Sequence, residues 1–137
     1  MVAQRKIGGK TVGADFQEQH KIETFKSAIS TSAEVFKYLI LLNGGAAAGM
    51  VAGIDKVLKI INISVVQTAM TCFVAGLVSV SIATFFAYGT QLQLHNENID
   101  KARRGAHHKY VVISASFSNF SLAAFCTGAL KCVFSLE

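Results

Sequence analysis

The sequence has no proline, and only 15% of its 137 residues are charged. A soluble domain usually carries about 25% charged residues, so this chain is short of side chains that face water. Its 52% hydrophobic content excludes a disordered chain, because disorder needs low hydrophobicity and high charge. Three cysteines, an odd count with two inside apolar runs, argue against a secreted disulfide scaffold. No nucleophile with a base, no paired carboxylates and no metal-ligand spacing appear, so neither an enzyme nor a cofactor is expected. What remains is a very apolar soluble protein or an integral membrane protein.

Charge placement decides between the two. Ten of the charged residues lie in the first 37 positions, and most of the rest lie between Glu97 and Lys109. Three uncharged stretches are left: Tyr38 to Ile54, the apolar part of Ile60 to Asn96 ending near Tyr88, and Tyr110 to Leu130. A helix crosses the hydrocarbon core with roughly 20 apolar residues, and about 17 to 25 will serve. The expected fold is all-α, with three transmembrane helices at 38–54, 60–88 and 110–131. No cleavable signal peptide is expected, since the first 37 residues are polar.

Basic residues set the orientation. Arg5, Lys6, Lys10, Lys21, Lys26 and Lys37 precede the first span, and Lys101, Arg103, Arg104 and Lys109 join the second to the third. Only Lys56, Lys59 and Lys131 lie on the other side. The positive-inside bias then puts the N-terminus in the cytoplasm and the C-terminus outside.

Residues 1–14 are basic and glycine-rich and read as a flexible tail. The Gly8-Gly-Lys-Thr11 element is not a phosphate loop, because Gln4 stands where the first glycine is required and no strand precedes it. Asp15 and Glu18 have the spacing of a capping box. From there Ile22, Phe25, Ile29, Ala33, Phe36 and Ile40 form one apolar stripe, so 15–37 is expected to be an amphipathic cytoplasmic helix running into the first span. It could lie on the membrane surface or bundle with copies of itself. The acidic residues on its polar face favour bundling.

Gly45, Gly49 and Gly53 recur every four residues along the first span, and Gly44, Ala48 and Ala52 line the next face. Small residues at this spacing let backbones approach closely in lipid, so a homo-oligomer is expected. Asn43 must find a polar partner or water. Ser114, Ser118, Ser121 and Gly128 form a polar, small-residue stripe on the third span, with Asn119 to one side. The stripe is either close packing or the wall of a pore. Phe73-Val-Ala-Gly76 is echoed by Phe125-Cys-Thr-Gly128. No mid-membrane acid and no proline-broken helix suggests a transporter.

The connection at 89–109 is expected to extend the second span as a helix that breaks near Gly105. Its Lys101, Arg103, Arg104 and Lys109 would contact lipid headgroups, or else a polyanion such as an oligonucleotide. His107 and His108 are not expected to bind metal, with no acidic or cysteine partner in view.

Leu41-Leu-Asn-Gly-Gly-Ala-Ala47, a Phe-x-x-Gly span ending in Ala87-Tyr88, a polar helix and a last Phe-x-x-Gly span resemble a family of small bacterial inner-membrane proteins. The likeness covers about residues 30 to 135 and extends to the membrane effectors of anti-phage defence of the Hailong type. It implies an oligomeric ion channel that depolarises the cell. It also implies closure by an oligonucleotide from a cognate nucleotidyltransferase. The residues taken alone favour a channel or pore-forming effector, with a phage holin as the runner-up and a non-conducting membrane anchor or regulatory subunit as a third reading.

Overall fold

In a computed structural model, described over residues 12–98 and 105–136, every regular element is a helix. The elements are α1 (Val12–Ala52), α2 (Ile54–Val57), α3 (Ile63–Asn98) and α4 (His108–Val133). Three stretches are long and apolar enough to cross a membrane: Ile22–Ala52, Ile63–Glu97 and His108–Val133. Their outward faces carry Leu41, Val51, Val78, Phe85, Phe120 and Leu130, all exposed. A water-soluble protein does not present apolar surface on this scale. The chain is a multi-pass membrane protein.

Helix is the form this composition takes in lipid, where every backbone N–H and C=O must be satisfied within its own segment. That constraint outweighs the weak helix propensity of Gly44, Gly45 and Gly49, which all lie inside α1. The helix is already formed at Asp15, so that residue is not its N-cap; the basic tail before Val12 lies outside the described residues. The expected amphipathic segment and the first span are one helix, as the unbroken stripe implied.

Two compact units divide the chain, Met1–Glu34 and Val35–Glu137. In the first, Ile22 and Phe25 of the apolar stripe are 50% and 45% exposed, while Ile29 is half-buried. The second holds the core. There α3 and α4 run antiparallel: Phe86 stacks on Phe117 near one end, and Phe73 meets Phe125 with ring centroids 5.9 Å apart near the other. Glycine permits the approach at two levels. A Cβ on Gly128 would lie 2.8 Å from the Phe73 ring, and one on Gly89 would lie 3.3 Å from Tyr110. The two Phe-x-x-Gly elements therefore meet on one side only, with Phe73 seated on Gly128 beside Phe125 while Gly76 faces Asn43.

The ends of the spans follow from charge. After Ala52 the chain turns at Gly53 into the short α2, whose Asp55 and Lys56 are exposed, and Lys59 follows. Asn62 caps α3, its Oδ1 accepting the Ser64 amide at 2.9 Å. At the other end α3 passes Tyr88 and continues through polar residues to Asn98. Gly105 has φ 87°, a left-handed conformation open to glycine at little cost, and α4 starts three residues later.

Helix α1 joins the α3–α4 pair through Leu39, Asn43 and Gly44. Leu39 and Asn43 are buried, and a Cβ on Gly44 would make an ordinary 3.7 Å contact with Leu77. At Gly76 a Cβ would collide with the Asn43 amide. We predict that Gly76→Ala destabilises the fold by about 1–3 kcal/mol, the usual cost of overpacking. Gly45→Ala should be near neutral, since nothing lies within 4 Å of its Cβ position. Thermal unfolding of both variants in the same detergent checks this.

Candidate functional site

Asn43 is the polar centre of the membrane-embedded part. Its carboxamide is 0% exposed and sits where α1 crosses the other two helices. The amide nitrogen donates to Leu39 O at 3.0 Å, one turn back on its own helix, and to Ser121 Oγ at 3.2 Å on α4. Ser121 O lies 3.4 Å away and shares the second hydrogen. The Oδ1 atom has no hydrogen-bond partner and faces Gly76. One side chain thus ties α1 to α4 and fills the space left by a glycine on α3. Interhelical hydrogen bonds in membranes contribute on the order of 1 kcal/mol, and most of the specificity here comes from shape.

The serine stripe faces inward. Ser114 is buried and donates across the helix pair to Ala83 O at 2.8 Å, and Ser121 is 0% exposed. Ser118 is half-buried and donates to Ser114 O at 2.9 Å. Of the two readings the sequence left open, close packing describes Ser114 and Ser121 within one chain. Ser114 ties α4 to α3 and Ser121 ties α4 to α1.

The glycine face behaves differently. At about 100° per residue, Gly45 and Gly49 stand about 200° and 240° round the helix from Asn43. Nothing lies within 4 Å of a Cβ at either position. The face expected to bring helices together is open, turned away from the chain's own contacts. Gly53, the third of the expected row, stands at the end of the helix, its N–H donating to Gly49 O at 3.0 Å. It falls past the end of α1 in the turn, where its Cβ would meet only Gly49 O at 3.3 Å and Val57 at 3.8 Å. The residues of the row on the helix are Gly45 and Gly49.

Of the basic connection, Lys101, Arg103 and Arg104 lie outside the described residues. Lys109 opens α4 with its ammonium 5.1 Å from the Tyr110 ring centroid, a cation–π distance. Nothing in the residues around Glu97 marks its role. Its carboxylate accepts the Gly105 amide at 2.9 Å, the His107 amide at 3.0 Å and His107 Nδ1 at 2.9 Å. An acidic residue therefore does stand beside His107, contrary to the sequence reading. The carboxylate caps the start of α4 from the end of α3, where the positive end of the helix dipole also favours it. These hydrogen bonds, that of Gly105 foremost, lower the Glu97 pKa to about 2. No group of three His, Cys, Asp or Glu residues able to hold a metal occurs among the described residues.

No family model, curated protein or solved structure matches the chain.

Since the folded pKa of Glu97 is depressed, its cap is complete at neutral pH and is lost only as pH falls from the ordinary carboxylate range towards about 2. At pH 7, Glu97→Ala should speed hydrogen exchange at the Gly105 and His107 amides and leave the Asn43 level of the helices protected. Equal exchange in variant and parent would show that the carboxylate does not hold the turn.

Proposed function

We propose that the chain is the subunit of a homo-oligomeric membrane channel or pore-forming effector, set in a bacterial inner membrane with its N-terminus in the cytoplasm. The observation that carries this reading is the open small-residue face of α1, Gly45, Ala48 and Gly49, exposed opposite the Asn43 contact. Helices associate in lipid by close backbone approach, and this face offers it where the chain's own helices do not use it. The buried hydroxyls of Ser79 and Ser114 and the amide nitrogen of Asn43 are already engaged within one chain, so a conducting path is expected to form between copies. The exposed stripe of Ile22 and Phe25 gives a second surface for the same assembly on the cytoplasmic side.

Depolarisation of the cell in anti-phage defence is the role that the resemblance around Leu41–Ala47 brings to this reading. Gating by an oligonucleotide, or by the nucleotidyltransferase that makes it, follows from the same source and suits the basic connection. Polyanion binding there would rest on Lys101, Arg103 and Arg104, with Lys109 at the base of α4.

Purified protein in liposomes should release trapped ions, and Gly49→Leu should lower both the oligomer fraction in detergent and the flux. An oligomer that carries no ions would overturn the channel and leave a membrane anchor. Charge reversal at Arg103 and Arg104 should abolish salt-sensitive binding of a labelled short oligonucleotide, measured by anisotropy. Unaltered binding would leave these residues as lipid contacts.

A further inference from the structure

Most serine and threonine hydroxyls in the described membrane stretches of α3 and α4 are satisfied internally. On α3, Thr68, Thr71, Ser79, Ser81 and Thr84 each donate to the carbonyl four residues earlier. On α4, Ser116, Ser118 and Thr127 do the same, while Ser114 bonds to α3 and Ser121 to Asn43. Such groups can face lipid at little cost, because the backbone a turn away takes their proton.

Asn119 is the exception. It is exposed, and it makes no hydrogen bond among the described residues. It lies near the middle of α4, two residues from the Ser121 that Asn43 holds at the crossing. From there its short side chain cannot reach the headgroups as a lysine can. Gln67, also exposed, is one turn from the start of α3 and within reach of the interface. An amide bare to hydrocarbon loses two donors and an acceptor that water would have satisfied, so the face carrying Asn119 is not a lipid face.

We infer that Asn119 is the polar contact between neighbouring copies of this chain, amide to amide, at the middle of the membrane. The inference rests on the homo-oligomer reading above and names where α4 meets its neighbour. An amide is complementary to itself, since each copy offers the N–H and the C=O that the other needs. Ala115 and Ala123, one turn to either side, are exposed on the same face and small enough to let a second backbone approach. No charged residue lies between Lys109 and Lys131, so nothing on α4 repels a copy along this face.

The test uses the full chain in liposomes, with Cys72, Cys126 and Cys132 replaced by alanine. Asn119→Cys should form a disulfide-linked dimer on oxidation, several-fold more than Phe120→Cys, whose exposed position lies on the adjoining face. Cross-linking at Asn119 no greater than at Phe120 overturns the inference. So does labelling of Asn119→Cys by a membrane-impermeant thiol reagent without cross-linking, which would make it a water-facing position. If the cysteine variants fail to insert, lysine-directed cross-linking of the intact chain replaces them. Asn119→Leu should then lose most of the cross-linked oligomer and Asn119→Gln should keep it, whereas an unchanged oligomer in the leucine variant overturns the contact. An intact oligomer without the Asn119 contact refutes this inference alone. A parent chain that is monomeric under every condition refutes the homo-oligomer as well.

Discussion

In hydrocarbon no water is present to complete a hydrogen bond, and every other feature of this chain is arranged around that constraint. It makes helices of segments that contain Gly44, Gly45 and Gly49, residues that would weaken a helix in water. It folds the hydroxyls of α3 back onto their own carbonyls. It makes Asn43 the point at which three helices meet, because Leu39 O on its own helix takes one amide hydrogen and Ser121 of α4 takes the other. Gly76 then follows from Asn43, since no side chain fits beneath the carboxamide.

The same constraint separates the parts of the chain by their purpose. The α3–α4 pair is closely packed, with aromatic rings in contact at both ends and glycines beneath Phe73 and Tyr110. Helix α1 is held at a crossing and keeps its small face open. At the polar end of the pair, Glu97 closes the turn with three hydrogen bonds to the residues that start α4. The hairpin is thus fixed at its mouth as well as along its length, while the faces of Gly45 and Gly49 on α1 and of Asn119 on α4 stay open.

Much of this was legible residue by residue. The continuity of the stripe from Ile22 into the first span and the three spans depend on local patterns of charge and apolarity. Other features were not legible, because they depend on distant residues. Gly53 has the same spacing from Gly49 as Gly49 has from Gly45, yet α1 has ended by then. Glu97 is one acid among polar neighbours until the turn at Gly105 brings His107 back to it. The Phe-x-x-Gly echo gained a meaning only when Phe73 was seen seated on Gly128.

Asn43 and Asn119 mark the boundary. The sequence by itself determined that both lie within membrane spans, because span length is set by the bilayer thickness and the nearest charges. Their chemistry is the same, and nothing beside either one assigns it a partner. The tertiary structure decided that Asn43 is buried against Gly76 and Ser121 while Asn119 stands exposed on α4. That difference is a matter of which helix faces meet, and the meeting of faces is set by shape across the whole bundle.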